Sequence, residues 1–175
     1  MTRPGEGRYA HIEREQRWIA SRLPADARHA AEIVDRYIDG TRLRLRRMER
    51  ADGVVAYKLG QKIRRAPADP ELVRITTMYL SGDEYAVMVA LPARVVHKSR
   101  WYTTWHGHTM AIDRLHGRLD GLLLAEAELR PDDSPLPLPP FAVRDVTNDD
   151  RFSGGALAFA SDAEVGALLR HAGSP

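Results

Sequence analysis

Five short stretches carry side chains able to hold and cleave a charged group, and four of them space those side chains two residues apart. "TRLRLRR" alternates Arg42, Arg44 and Arg46 with Leu43 and Leu45, and "HKSR" repeats the device with Lys98 and Arg100. "HIERE" presents His11, Glu13 and Glu15, "AEAEL" presents Glu126 and Glu128, and Lys58 and Lys62 share one parity in "YKLGQK". On an extended chain, residues two apart point to the same face, so each stretch shows a charged row on one side. The signs are segregated by stretch. Arg and Lys rows suit phosphate oxygens, and paired carboxylates suit a hard divalent cation.

Such rows need strands to carry them. "YAHIEREQRWIA" alternates as a strand does, and "PADARHAAEIVDRY", with Pro24 and Asp26 as start signals before an Ala-rich run, reads as a helix. Strand composition marks "RYIDGTRLRLRRM", "VVAYKLGQKIRR", "VRITTMYLS", "EYAVMVAL", "VVHKSRWYTTW", "TMAIDRLHG" and "LLLAEAELR". "SPLPLPPF" is a rigid connector, and "SDAEVGALLRHAG" is a capped amphipathic helix. An open sheet with a solvated, salt-bridged face would show this alternation. So would a closed antiparallel barrel, where inward charges must be paired, hydrated or matched to a ligand.

Composition narrows the chemistry. The 175 residues, 43% hydrophobic and 29% charged, suit one domain over 9–175 behind a loose tail, residues 1–8. No long apolar run or secretory leader is present in the sequence, and the expected location is cytoplasmic with no membrane partner. Without cysteine, any metal is held by His, Asp or Glu, which favours Mg2+ or Mn2+. A net charge of +2 without a basic tract argues against a nucleic-acid polymer and leaves small polyanions as partners of a monomer or homodimer.

In order, "HIERE", "TRLRLR", "YKLGQK", "HKSRW", "IDRLHGRLDGLLLAEAEL" and "RDVTNDDRF" resemble the CYTH superfamily, the triphosphate tunnel enzymes. These include thiamine triphosphatases, inorganic triphosphatases and class IV adenylate cyclases. The resemblance covers roughly residues 9 to 160. It implies a mainly β fold: a closed eight-stranded antiparallel β-barrel, the triphosphate tunnel, with flanking helices. By position it implies that Arg42, Arg44, Lys58, Arg74, Lys98 and Arg100 contact substrate phosphates. It also implies Glu13, Glu126, Glu128 and His11 as ligands of Mg2+ or Mn2+, with Glu13, Glu15 and Asp145 in catalytic places.

The chain departs from the family at two signatures. The family's E-x-E-x-K matches His11, Glu13 and Glu15, and its R-x-E-x-E matches Arg74, Thr76 and Met78, so carboxylates are lost. The asparagine usual near the "RF" end is Gly154. The expected function is metal-dependent hydrolysis of a small triphosphate: tripolyphosphate, a nucleoside triphosphate or thiamine triphosphate. A tunnel that binds polyphosphate or nucleotide without turnover, or a barrel with altered chemistry, is the alternative.

Overall fold

A computed structural model of the protein describes residues 9–64 and 72–173, so the expected tail, residues 1–8, lies outside the described residues. Eight antiparallel strands close into a barrel: β1 (His11–Ala20), β2 (Arg28–Ile38), β3 (Leu43–Arg50), β4 (Val55–Arg64), β5 (Leu72–Leu80), β6 (Ala93–Trp105), β7 (His108–Leu115) and β8 (Leu123–Leu129). Their order is β5-β4-β3-β2-β6-β7-β8-β1, and pairing of β1 with β5 completes the ring. Among the described residues that last pairing spans His11 to Arg14, and the far end of β1 pairs with a ninth strand, β9 (Ala142–Asp145), outside the barrel. This is the closed barrel with flanking helices expected from the sequence, and closure removes the bare sheet edges.

Alternation decides what each strand buries. Along β1, Glu13, Glu15 and Arg17 line the interior cavity, while Trp18 packs outside with Met110, Ile112, Ala127 and Phe141. Leu136 of the proline-rich connector lies against that outer cluster, so the connector works as a cover. At one end the interior is apolar: Ile19, Val96, Leu115 and Leu124 meet Phe152, Leu157, Val165 and Leu168. Those last residues follow a 3-10 turn and two helices, α2 (Gly154–Phe159) and α3 (Asp162–Gly173), which plug the barrel.

Two segments differ from the sequence expectation, in opposite senses. "RHAAEIVDRYI" is strand β2 and not a helix: its Ala content favours a helix, but it sits between β3 and β6 and is hydrogen-bonded along both edges. Tertiary pairing overrides propensity there. "EYAVMV" lies in helix α1 (Gly82–Met88) and not in a strand. Ser81 and Glu84 form a reciprocal capping box at its start, and Tyr85, Met88 and Val89 cover Ile38, Leu45 and Leu59. No helix among the described residues is long and apolar enough to cross a membrane.

The plug touches the tunnel at one tight place. A Cβ on Gly154 would overlap the Tyr37 hydroxyl, which explains glycine at this position. Gly154→Ala is therefore expected to lower stability by about 1 to 3 kcal/mol in chemical unfolding, as overpacking does. Combining it with Tyr37→Phe, which removes the overlapping oxygen, is expected to restore part of the loss; a strictly additive double variant would contradict this contact.

Candidate functional site

The barrel encloses a cavity of about 1500 Å³. Arg44 and Arg46 from β3, Lys58 and Lys62 from β4, and Lys98 and Arg100 from β6 supply its basic wall. Glu13 and Glu15 from β1 and Glu126 and Glu128 from β8 supply its acidic wall, and the register sets Glu15 opposite Glu128. Gly60 leaves room beside Arg44, whose Nη2 lies 3.6 Å from where a Cβ would be.

A continuous run of ion pairs links the walls. Lys62 bonds Glu15 at 2.5 Å; Arg17 lies 3.6 Å from Glu15 and donates through Nε to Glu126 at 2.7 Å. Arg100 lies 4.0 Å from Glu126 and donates to both oxygens of Asp113 at 2.6 and 2.7 Å. Lys98 bonds Asp113 at 2.5 Å and stands 4.0 Å from Asp35, which takes two bonds from Arg46 at 2.6 and 2.7 Å. Burial alone would raise the carboxyls of Asp35 and Glu126. Their basic neighbours, Arg46 and Arg44 for the first and Arg17 and Lys62 for the second, instead hold both well below the usual range.

Three buried polar atoms stand outside this bookkeeping. Glu15 Oε2 lacks a hydrogen-bond donor, and Arg17 Nη1 and Arg44 Nε lack acceptors, although all three residues line the cavity. An unsatisfied carboxylate oxygen fits a cation and unsatisfied guanidinium N–H groups fit an anion. Glu13 adds to the acidic pole: burial first, then Glu15 and Glu128, raise its carboxyl above the ordinary value against the pull of Lys62. Among the described residues no three His, Asp or Glu side chains already converge as a metal shell. The donor set at Glu13, Glu15 and Glu128 nonetheless fits a hard divalent cation, which would relieve their mutual repulsion. At the other pole, Arg42 and Lys58 have no carboxylate partner among the described residues, and Lys58 rests 4.7 Å over the Tyr79 ring.

Of the residues singled out from sequence, Glu13, Glu15, Glu126, Glu128, Arg44, Lys58, Lys98 and Arg100 meet in this cavity, and Arg42 stands exposed at its mouth. Three others lie elsewhere. His11 is exposed at the start of β1, paired with Ile75 and on the face of Glu13, but is not itself among the residues that line the cavity. Arg74 alternates with the lining residues Val73 and Ile75 and pairs with Ile12 and Ile63, so the pleat turns it outward. Asp145 is on β9 outside the barrel, where it accepts from the Thr147 backbone N–H at 2.8 Å.

Sequence reasoning missed Arg17 and Asp35 and left Arg46 out of the set expected to contact phosphate. The inward row of β1 reads Glu13, Glu15, Arg17, acid-acid-base, two residues beyond the match at His11. The deep arginine pair is likewise Arg44 and Arg46. On β5 the lining residues among the described ones are Val73, Ile75 and Thr77, none of them a carboxylate. The alternation of "REQR" and "RLR" held the signal for both shifts, since a slip of two keeps the face and changes only the depth.

No protein-family model matches the chain, and no curated protein matches it. Two solved structures of NE1496 do, one described as a hypothetical protein and the other as an inorganic triphosphatase. The first is 21% identical with a TM-score of 0.57 over 85% of this chain and 98% of its own; the second is 19% identical with the same TM-score over 85% and 95%. At that identity the likeness establishes the tunnel fold.

The buried pairs dictate a pH response. Asp35, Asp113 and Glu126 have depressed folded-state values, so their stabilisation is fully present above the ordinary carboxylate range and is lost as pH falls through the depressed values. The melting temperature is expected to drop as pH falls below about 4 and to drop almost equally at low and high salt, because buried pairs are poorly screened. Melting curves that salt changes strongly in this window would place the acid-labile pairs on the surface instead.

Proposed function

We propose, from the tunnel fold shared with NE1496 and the charge layout inside it, that this protein is a divalent-metal-dependent phosphohydrolase acting on a small triphosphate-bearing molecule. The observation that carries this reading is the bipolar lumen. Arg42 and Lys58, without a carboxylate partner among the described residues, and Arg44, held only at 3.6 Å from Asp35, offer a basic pole, and Glu13 and Glu128 with Glu15 offer an acidic one in the same cavity. A triphosphate laid between them meets cations along its oxygens and carboxylates at one end. Tripolyphosphate, a nucleoside triphosphate and thiamine triphosphate all carry the required chain. A cytoplasmic setting without a nucleic-acid polymer belongs to the same reading.

Each group then has a place in hydrolysis. Arg44 turns its unsatisfied Nε–H, and Lys58 its ammonium, toward phosphate oxygens, which fixes the chain in line for attack. Glu15 and Glu128 would hold Mg2+ or Mn2+, which when bound neutralises phosphate charge as the phosphorus–oxygen bond breaks. Glu13, its carboxyl raised by burial and by acidic neighbours, is suited to take the proton of the attacking water. Arg17 keeps Glu126 out of the metal shell by bonding it directly, a change from the roles the resemblance implies.

A second reading rests on β5. Its lining residues Val73, Ile75 and Thr77 contribute no carboxylate to orient water or a second cation, which supports a tunnel that binds polyphosphate without turning it over. Phosphate release from tripolyphosphate, ATP, GTP and thiamine triphosphate, with Mg2+ or Mn2+, separates the two. Release that requires metal, falls about ten- to a hundredfold in Arg44→Ala and disappears in Glu128→Ala is expected for the hydrolase. Absence of release, while tripolyphosphate still raises the melting temperature, would establish the binding tunnel.

A further inference from the structure

Asp35 belongs to no expected role, yet it is among the most buried side chains of the protein, 1% exposed. Resting on the reading of the tunnel as a polyphosphate site, we propose that Asp35 is a specificity-determining residue. It is a built-in counter-anion behind the basic wall that limits how much negative charge the tunnel accepts.

The geometry carries this directly. Arg44, Arg46 and Lys98 line the cavity while Asp35 does not, so the three cations stand between the carboxylate and the lumen. Asp35 Oδ1 accepts from Arg46 Nε at 2.6 Å and lies 3.6 Å from Arg44 Nε; Oδ2 accepts from Arg46 Nη2 at 2.7 Å and lies 4.0 Å from Lys98 Nζ. One side-by-side N–H pair of Arg46, its Nε and Nη2 edge, is thus already used, and only the Nη1 side of that guanidinium is left for a ligand. Arg44 is only loosely engaged, and its Nε still lacks an acceptor. Asp35 therefore takes one edge of Arg46 out of ligand binding, leaves Arg44 the less engaged of the two, and subtracts one charge from the wall at short range. A bare, highly charged tripolyphosphate loses more by this than a chain of lower charge does.

Titration calorimetry of metal-free protein with tripolyphosphate and with orthophosphate tests the proposal in wild type, Asp35→Asn and Asp35→Glu. Asp35→Asn is expected to bind tripolyphosphate on the order of tenfold more tightly, with a steeper loss of affinity as salt rises and a smaller gain for orthophosphate. It should also melt below wild type alone and gain more in melting temperature when tripolyphosphate is added, because the anion replaces the lost carboxylate. Asp35→Glu keeps the charge and should keep wild-type affinity even if its melting point falls. Equal affinity, salt slope and anion-induced shift in wild type and Asp35→Asn would make Asp35 a mere strut and overturn the proposal. Failure of both proteins to bind either anion would instead overturn the polyphosphate reading beneath it.

Discussion

Ionised side chains inside a barrel must be compensated, and this requirement shapes the molecule more than any other. A buried charge left unpaired costs several kcal/mol, and a buried pair is worth having only when its geometry and remaining hydrogen bonds are good. The chain of contacts from Lys62 through Glu15, Arg17, Glu126, Arg100, Asp113, Lys98 and Asp35 to Arg46 meets that demand without any ligand. It also fixes the inward side chains in place before a substrate arrives, which is the physical content of a preorganised site. The barrel holds its charges, and the charges hold the barrel's register.

Compensation is incomplete at two poles, and the asymmetry gives the tunnel its direction. Arg42 and Lys58 have no carboxylate partner among the described residues and Arg44 keeps its Nε without an acceptor at one, and Glu13 and Glu128 stand with the donorless Oε2 of Glu15 at the other. The middle is self-neutralised by Asp35, Asp113 and Glu126. The apolar plug formed by Phe152, Leu157, Val165 and Leu168 closes one end of the interior, and the Tyr37–Gly154 contact joins plug to tunnel.

The closed β-barrel was legible because alternation with charges on one face recurs on so many strands, and because the order of the motifs resembles one family. Within that frame, the faces of β1, β3, β4, β6 and β8 follow from parity alone. Depth does not: sliding a strand by two residues preserves every inward face, so parity alone does not separate "HIERE" from "EREQR", or the pair Arg42/Arg44 from Arg44/Arg46. On β5 the slip is one residue, and there apolar Val73 and Ile75 line a polar cavity against the usual rule. Asp35 was hidden for a different reason. Its segment has an Ala-rich, helix-like composition, and only pairing to β3 and β6 brings Arg46 and Lys98 to it. The strand-like composition of "EYAVMV" was overruled locally, by a Ser81–Glu84 capping box visible in the sequence.

The central claim is that this lumen seats a phosphate chain and its cation together, and a crystal structure with Mn2+ and a non-hydrolysable imidotriphosphate tests it most directly. The expected result is anomalous scattering from manganese against Glu15 and Glu128, with Glu13 beside it, phosphate oxygens on Arg44 and Lys58 and the Arg46–Asp35 pair intact. Manganese bound elsewhere, with the lumen holding only water and its internal ion pairs unchanged, would contradict the account.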